Sequence, residues 1–208
     1  MAKLKQEIYS LCKQLESEFH LIGNKRKGEL QQLSDVIKAA KSQFGDAKII
    51  VICTHNSRRS HLGQIWLQVA TSFYNIDGVE VYSGGTEATE FNSRMIKALS
   101  NAGFHITKKT ETSNPEYTIQ FFEEKERLES YFSKQLNDKV NPQQNFIAIM
   151  VCDSADTACP VVVGCFKRLS LPYKDPKDFD DSPEESKAYT DKVKEIGREM
   201  LYAVRSVI

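Results

Sequence analysis

Residues 49–60 of this chain read Ile-Ile-Val-Ile-Cys-Thr-His-Asn-Ser-Arg-Arg-Ser. The four apolar residues at the start predict a buried β-strand that runs into Cys53. Arg59 follows Cys53 with five residues between them, and from Ser60 onward apolar residues recur every three or four positions, as in a helix. The stretch therefore predicts a strand, a short loop and a helix in direct succession.

A loop of this length can wrap around a tetrahedral oxyanion. Its backbone N–H groups and the positive end of the following helix attract the anion, and the guanidinium of Arg59 is suited to bind two of its oxygens. The same surroundings favour the thiolate of Cys53, which would lie below the central atom as a nucleophile. Ser60 can donate a hydrogen bond to that thiolate, and the amide of Asn56 can lock the loop. The predicted oxyanion-binding residues are Thr54, His55, Asn56, Ser57, Arg58, Arg59 and Ser60.

The composition is that of a folded protein without a preference for polyanions. The chain has 208 residues, and its 28 Lys and Arg balance 28 Asp and Glu. Nothing in this balance indicates nucleic acid or a membrane as a partner. The first residues lack the apolar core of a signal peptide and no apolar run approaches transmembrane length, so we expect a cytoplasmic protein. In that reducing compartment the five cysteines are expected to be catalytic, redox-active, metal-binding or buried.

The chain divides into a helical N-terminal part and a main domain in which strands and helices alternate. Residues 1–45 carry two helix-like apolar runs, which predict a helical hairpin. Its apolar stripes are expected to pack on each other or on the main domain, with a homodimer surface as the weaker alternative. The alternation in residues 46–208 predicts a mainly parallel sheet covered by helices on both faces. The predicted strands are 49–52, 79–82, 146–151 and 169–171, and the predicted helices include 60–74 and 92–102.

Two further local predictions concern an insertion and the last helix. Residues 116–122 and 128–132 look like two short strands around the charged residues 123–126, which predicts a β-hairpin insertion at about 114–134. The last helix is predicted to begin with Ser182 as its N-cap, Pro183 at its first position and Glu185 closing a capping box.

The loop from Cys53 to Ser60 resembles that of low-molecular-weight protein tyrosine phosphatases and of the thioredoxin-coupled arsenate reductases that share their fold. Residues 83–88, Ser-Gly-Gly-Thr-Glu-Ala, add to the resemblance, because both groups carry a similar Ser-Gly-Thr stretch after the second strand. The resemblance spans roughly Lys48 to the C-terminus and implies an α/β fold with a four-stranded parallel sheet. The chain departs from the family pattern at His55, where Gly is common, and at Arg58, where Cys or Ile is common. We expect His55 at the rim of the loop, and Arg58 to face solvent or to add positive potential.

A covalent adduct on the thiolate needs an acid for its leaving group. Asp175-Pro176 is the candidate, because proline biases the preceding Asp toward an extended backbone that can project its carboxyl over a cleft. Its position after the last strand matches the general-acid loop of the resembled phosphatase fold. Tyrosine phosphatases of this type usually carry two aromatic residues directly after Asp-Pro, and Lys177-Asp178 stands there instead, which disfavours phosphotyrosine. The nearby acidic residues expected to be solvated are Asp178, Asp180 and Asp181.

Two further cysteines, Cys152 and Cys159, follow the predicted strand 146–151. They resemble the redox segment of the thioredoxin-coupled arsenate reductases, in which two cysteines seven positions apart resolve the nucleophile. Seven residues of continuous helix span about 10.5 Å, whereas a disulfide tolerates Cα separations up to about 7 Å. Cys152 and Cys159 therefore cannot bridge unless the segment unwinds, and Pro160 favours such remodelling.

The resemblance implies a relay of three cysteines that acts on arsenate. Cys53 attacks arsenate, Cys152 attacks the adduct with release of arsenite, and Cys159 attacks Cys152 and carries the disulfide to the surface, where thioredoxin reduces it. The alternative is hydrolysis of phosphate monoesters by Cys53, Arg59 and Asp175, with the cysteine pair as a guard against oxidation. A third, weaker hypothesis is an oxyanion or redox sensor that signals through the N-terminal hairpin.

The sequence predicts no metal and no cofactor. His55, His61 and His105 have no coordinating spacing with the cysteine pair. Gln64 occupies the place of an acidic residue that forms a potassium site in some arsenate reductases. Cys12 and Cys165 are predicted to be packing residues.

Overall fold

The computed structural model describes residues 3–124, 129–158 and 161–207. The strands are β1 (Ala47–Cys53), β2 (Val79–Gly85), β3 (His105–Lys108), β4 (Tyr117–Gln120), β5 (Glu129–Tyr131), β6 (Phe146–Met150) and β7 (Cys165–Ser170). The helices are α1 (Gln6–Ser17), α2 (Asn24–Phe44), α3 (Arg59–Phe73), α4 (Ser93–Asn101), α5 (Asp153–Ala158) and α6 (Glu185–Arg205). Within this described part of the chain, no helix has the length and apolar character needed to cross a membrane.

The central sheet has the strand order β2-β1-β6-β7, and all of its neighbouring strands run parallel. The inner strands β1 and β6 are almost entirely buried, as continuous apolar runs predict. α3 packs against β1 and β2, α6 packs against α3, and α2 packs against β1 and β7. The predicted α/β fold with a four-stranded parallel sheet is confirmed. Its fourth strand begins at Cys165, four residues earlier than predicted.

The two predicted N-terminal helices are present, and each packs on the main body of the chain. The 3₁₀ turn Phe19–Leu21 separates α1 from α2, and α2 ends at Gly45, whose φ of 86° lies in the left-handed region that suits glycine. α1 packs against α3 and α6. The apolar stripes of both helices are buried in the same core as the sheet, including Ile8, Cys12, Leu15, Leu30, Leu33 and Ile37. The domain boundary after residue 45 and a homodimer through the hairpin stay predictions, and such a dimer would have to use exposed residues such as Tyr9 and Leu21.

The predicted hairpin insertion is present as part of a larger sheet. β4 and β5 pair in antiparallel fashion, and β3, which the sequence did not predict, pairs with the other edge of β4. β3 has only four residues with one aliphatic side chain, Ile106, so its sequence lacks a strand signature. Residues 125–128 of the hairpin turn lie outside the described residues. Beyond β5, Gln135 pairs in parallel with Gly85 at the end of β2, which brings the insertion beside the candidate site.

The last helix begins later than predicted. α6 starts at Glu185, and Ser182-Pro183 belongs to the turn before it. The carboxylate of Glu185 accepts hydrogen bonds from the backbone N–H of Asp181 at 2.8 Å and from Nε of Arg94 at 2.7 Å. The predicted capping box is therefore wrong, because the ion pair with Arg94 and the bond to Asp181 engage the carboxylate that was expected to cap Ser182.

Candidate functional site

The loop predicted to bind an oxyanion lies between the carboxyl end of β1 and the start of α3. Cys53 ends β1 and is buried, and its Sγ lies 3.1 Å from Oγ of Ser60 in the first turn of α3. Nδ2 of Asn56 donates to the same Oγ at 2.8 Å. The hydroxyl hydrogen of Ser60 is therefore free to point at the sulfur. This geometry fits the predicted hydrogen bond from Ser60 to the thiolate.

Asn56 ties this loop to two other elements. Its φ of 44° lies in the left-handed region, which Asn adopts more readily than most residues. Its Oδ1 accepts from the backbone N–H of Lys134 at 2.9 Å, and this donor determines which end of the amide faces Ser60. The two bonds fit the predicted locking role of Asn56.

The end of β2 closes on the loop from its other side. Oγ1 of Thr86 donates to the carbonyl oxygen of Thr54 at 3.1 Å. A Cβ atom on Gly85 would lie 2.6 Å from that carbonyl oxygen and 2.8 Å from the backbone nitrogen of Asn56. Only glycine permits this approach, which is a structural reason for the Ser-Gly-Gly-Thr stretch at 83–86.

Two residues of the insertion that sequence reasoning missed, Ser133 and Lys134, support the loop. Oγ of Ser133 donates to the carbonyl oxygen of His55 at 2.9 Å and accepts from the backbone N–H of Thr89 at 2.8 Å. Lys134 is 5% exposed, and within the described residues it forms no ion pair. Its Nζ lies 4.7 Å from the centre of the Phe132 ring, and burial lowers its pKa to about 8. No local motif marks either residue, since only the fold brings them to the loop.

The two departures from the family pattern have different surroundings. His55 is exposed at the rim, as expected, with Nε2 3.7 Å from a carboxylate oxygen of Glu87. The expectation that Arg58 faces solvent is wrong. Its Nε donates to the hydroxyl of Tyr189 at 2.9 Å, and its Nη2 donates to Oδ2 of Asp180 at 3.4 Å. Because the guanidinium points away toward α6, Arg58 can offer an oxyanion its backbone N–H but not its side chain.

Arg59 meets the candidate acid. Its Nη2 donates to Oδ2 of Asp175 at 2.6 Å, and its Nη1 donates to the carbonyl oxygen of Tyr173 at 2.8 Å. Its Nε is buried and has no hydrogen-bond partner within the described residues. An unpaired buried N–H costs about 1–3 kcal/mol. An oxyanion that accepts a hydrogen bond from Nε would remove this cost.

Asp175 stands at the start of a short, well-fixed turn. Its backbone is extended, with φ −73° and ψ 127°, as the following proline favours. The 3₁₀ turn Pro176–Phe179 follows, and the backbone N–H of Lys177 donates to Oδ1 of Asp175 at 3.1 Å. The other carboxylate oxygen faces Arg59, so the structure brings the predicted acid and the predicted anion-binding arginine together.

The other acidic residues of this segment behave differently from one another. Asp178 and Asp181 are exposed, as expected. The expectation that Asp180 is solvated is wrong, because its Oδ1 accepts from the hydroxyl of Tyr189 at 2.7 Å and its Oδ2 pairs with Arg58. The carboxylate of Asp180 thus joins the loop to α6.

Cys152 lies next to the oxyanion loop. The backbone N–H of Val151 donates to the carbonyl oxygen of Ile52 at 2.8 Å, so β6 follows β1 to its end and Cys152 comes directly afterwards. Sγ of Cys152 lies 3.5 Å from Oγ1 of Thr54. Ile52 pairs with Met150, so Cys152 is one residue beyond the position opposite Cys53. Strand geometry continued to that residue would put the Cα atoms of Cys53 and Cys152 roughly 6 Å apart, a separation that a disulfide can span.

The helix after Cys152 connects the cysteine to β7. The backbone N–H of Ala155 donates to Sγ of Cys152 at 3.4 Å. Asp156 forms an ion pair with Arg168 on β7. Cys159-Pro160 lies outside the described residues, so the place of the second cysteine stays a prediction.

The remaining cysteines and the buried histidine do not join the site. Burial raises the pKa of Cys12 to about 12, and it also raises that of the half-buried Cys165, which fits packing roles. His61 stacks on Phe91, and burial lowers the pKa of its imidazole, so the ring is neutral. Among the residues that the structure describes, no group of three His, Cys, Asp or Glu is arranged to hold a metal ion.

Comparison with known proteins finds relatives by sequence and neighbours by structure. No protein-family model matches the chain. Arsenate reductase 2 of Staphylococcus haemolyticus is 29% identical over 128 residues, which cover 62% of this chain and 77% of the relative. An arsenate reductase of Bacillus licheniformis is 27% identical over 153 residues, which cover 72% of this chain and 88% of the relative. Among solved structures, the low-molecular-weight phosphotyrosine phosphatase of Vibrio cholerae O395 aligns with a TM-score of 0.51 and 14% identity, over 77% of this chain and 95% of that protein.

The chain is similar in sequence to arsenate reductases and in fold to a low-molecular-weight protein tyrosine phosphatase. The resemblance that residues 53–60 and 83–88 indicated is thereby confirmed. The relatives by sequence are named arsenate reductases and the neighbour by structure is a phosphatase, and the two comparisons together support an enzyme of one kind or the other. At 14% identity the structural likeness establishes the fold alone, and the choice between the two activities depends on the chemistry of this chain's own residues.

Proposed function

We propose that this protein reduces arsenate to arsenite through a thiol relay that starts at Cys53 and is recycled by thioredoxin. The observation that carries the proposal is the place of Cys152, whose Sγ lies 3.5 Å from Oγ1 of Thr54, the residue after the nucleophile. A hydrolase needs water beside its covalent adduct, whereas a reductase needs a second thiol there. The relatives named arsenate reductases support the same substrate.

The first step in this proposal forms a bond between sulfur and arsenic. The N–H groups of the loop and the guanidinium of Arg59 hold arsenate, and the thiolate of Cys53 attacks the arsenic atom. The oxyanion takes donors of Arg59 that now face Asp175. Asp175 is then free to protonate the oxygen that leaves arsenic as water.

The second step carries out the reduction. The thiolate of Cys152 attacks the sulfur of Cys53, so that a disulfide forms while the bond between sulfur and arsenic breaks. The electron pair of that bond stays with arsenic, which passes from As(V) to As(III) and leaves as arsenite. Cys159 then attacks the sulfur of Cys152 and releases the thiolate of Cys53. The dithiol of thioredoxin reduces the disulfide between Cys152 and Cys159 and becomes oxidised itself.

The transfer to Cys159 requires α5 to change shape, because a regular helix would hold the two cysteines too far apart. α5 has only six residues, Asp153–Ala158, which is short for a helix that must be stable by itself. The described bonds that hold it to the sheet include the ion pair between Asp156 and Arg168. Unwinding of one or two turns is therefore a small rearrangement.

The test is arsenite formation with thioredoxin, thioredoxin reductase and NADPH. We expect turnover in the wild-type protein and in Cys165→Ser, a control that removes a half-buried thiol outside the site. Cys53→Ser, Cys152→Ser and Cys159→Ser should lose turnover. Robust hydrolysis of p-nitrophenyl phosphate that survives Cys159→Ser, with no arsenate turnover in the wild-type protein, would overturn the proposal.

Hydrolysis of a phosphate monoester is the second candidate, and one observation favours it. A groove of about 440 Å³ lies between the acid turn and α6, and its lining includes Asp175 and the apolar residues Pro176, Phe179 and Ala188 among several charged side chains. An organic leaving group would use such a wall, whereas arsenate has no organic part. A kcat/KM for an aryl phosphate that exceeds the value for arsenate and is unchanged in Cys152→Ser would favour the hydrolase.

A further inference from the structure

Two consecutive arginines hold the two ends of the acid turn. Arg59 pairs with Asp175, which precedes the 3₁₀ turn, at 2.6 Å, and Arg58 pairs with Asp180, which follows it, at 3.4 Å. The turn Pro176–Phe179 spans the distance between the two carboxylates. The start of α3 therefore contacts the acid turn at both of its ends.

Tyr189 completes the contact at the second end. Its hydroxyl accepts from Nε of Arg58 at 2.9 Å and donates to Oδ1 of Asp180 at 2.7 Å. Tyr189 is buried, so its hydroxyl has a fixed position on α6. Arg58, Asp180 and Tyr189 form a closed triangle of hydrogen bonds in which each member contacts the other two.

The charges around Arg58 keep its side chain away from the oxyanion. Nε of Arg58 is 4.0 Å from Oδ1 of Asp175, in addition to its closer contact with Asp180. Asp180 also lies 3.8 Å from Nη1 of Arg94, so the carboxylate sits between two guanidinium groups. These charge-assisted contacts hold the guanidinium of Arg58 in its orientation toward Asp180.

We propose that Arg58 is a positioning residue for the general acid, which acts through Asp180 and Tyr189 and not on the bound oxyanion. The inference rests on the proposed role of Asp175. Arg58 lies in the oxyanion loop itself, directly before Arg59. The loop that binds the anion therefore also fixes the turn that positions the carboxyl of Asp175. A displacement of a catalytic group by about 1 Å can cost on the order of 100-fold in rate. Loss of the triangle would let the turn, and with it the carboxyl of Asp175, move away from the leaving group.

The test uses a series of aryl phosphates whose leaving groups range from dinitrophenol to phenol. A good leaving group departs without a proton, whereas phenol needs the acid, so the dependence of kcat on the leaving group reports proton delivery. In Arg58→Met we expect kcat for phenyl phosphate to fall roughly 10- to 100-fold, with little change for dinitrophenyl phosphate. Inhibition by inorganic phosphate should change less than about threefold, because the anion-binding donors remain.

Two variants and a control support the interpretation. Asp180→Asn should show the same selective loss, since it removes the charge that Arg58 holds, and Arg58→Lys should restore part of the rate. Arg198→Met is the matched control, because Arg198 forms an ion pair with Glu18 at 3.0 Å. The side chains of this pair are 16% and 23% exposed, as are those of Arg58 and Asp180. It lies outside the site and should leave the leaving-group dependence unchanged.

The outcomes distinguish a failure of the role proposed for Arg58 from a failure of the role proposed for Asp175. Asp175→Asn should give the steepest dependence on the leaving group. A steep dependence in Asp175→Asn with a wild-type dependence in Arg58→Met overturns the role of Arg58 alone. An equal loss for all substrates in Arg58→Met, together with weaker inhibition by phosphate, also overturns it and places Arg58 on the oxyanion. A wild-type dependence in Asp175→Asn overturns the acid and the inference together, whereas arsenite formation by the wild-type protein tests the proposed function separately.

Discussion

Nη2 of Arg59 lies 2.6 Å from Oδ2 of Asp175. The two side chains are only 14% and 16% exposed, so solvent screens this ion pair less than a pair on the surface. The guanidinium that is proposed to hold an oxyanion is therefore also the partner of the proposed acid. Binding of an oxyanion and pairing with Asp175 compete for the same donors.

Asp175→Asn tests this competition. The variant keeps a side-chain oxygen that can cap the 3₁₀ turn, but it removes the negative charge beside Arg59. We expect inorganic phosphate and arsenate to bind roughly 3- to 10-fold more tightly, about 1 kcal/mol, because the anion no longer displaces a carboxylate. Isothermal titration calorimetry measures the affinity directly. Asp178→Asn, an exposed residue of the same turn, is the control, and unchanged or weaker binding in Asp175→Asn would contradict the competition.

Ser133→Ala tests the support that the insertion gives to the loop. The variant removes the acceptor of the backbone N–H of Thr89, and it leaves the carbonyl oxygen of His55 with only the hydroxyl of Thr89 as donor, at 3.2 Å. We expect the free energy of unfolding to fall by about 1–3 kcal/mol, with weaker phosphate binding. Urea unfolding measures the first effect and calorimetry the second. Ser130→Ala removes an exposed hydroxyl of the same insertion and should change stability by less than about 0.5 kcal/mol; an equal loss in both variants would refute a specific role for Ser133.

Lys134→Met should stabilise the protein at neutral pH. Burial lowers the pKa of Lys134 to about 8 from the ordinary 10.5, so below pH 8 the folded protein carries a costly buried ammonium. Between pH 8 and pH 10.5 Lys134 binds a proton in the unfolded chain that it lacks in the folded chain. The stability of the wild-type protein relative to Lys134→Met must therefore rise with pH over this range. The upper limit of this rise is on the order of 3 kcal/mol. Urea unfolding of both proteins from pH 7 to pH 10.5 measures it, and a variant that is less stable at pH 7 would show that the ammonium stabilises the loop.

Native thiol labelling should discriminate between the cysteines. Burial and the charge of Glu16 raise the pKa of Cys12 to about 12, so at pH 8 only about 10⁻⁴ of this thiol is ionised. We expect iodoacetamide to modify Cys53 in the folded protein and to reach Cys12 only after unfolding in urea. Peptide mapping by mass spectrometry gives both extents. Equal labelling rates for Cys12 in the folded and the unfolded protein would contradict its burial in α1.

The parts of the site that could be predicted from the sequence are those in which chemistry and position lie on one short segment. Residues 49–60 combine a strand, a nucleophile and an arginine in twelve positions. Pro176 restricts the backbone of Asp175 to extended conformations, which can be read directly from the sequence. Lys134 and Tyr189 could not be found in this way, because they contact the loop across 78 and 131 residues of chain.

The wrong predictions have a similar cause. Arg58 and Asp180 look like surface residues in sequence, but in the fold they pair with each other and with Tyr189, which α6 brings to both of them. The observed start of α6 differs from the predicted one because Glu185 pairs with Arg94 from another helix. Local capping patterns predict helix ends well only where tertiary ion pairs do not engage the capping side chain.

The most direct test of the relay is the disulfide that forms when Cys159→Ser is mixed with arsenate in the absence of thioredoxin. Without Cys159 the relay must stop after the reduction step. We expect a Cys53–Cys152 disulfide, detected by peptide mapping as a loss of two hydrogen atoms, and one equivalent of arsenite per protein. Arsenite formation with the thiol of Cys152 still free, or no arsenite and no disulfide while p-nitrophenyl phosphate is hydrolysed, would contradict the relay.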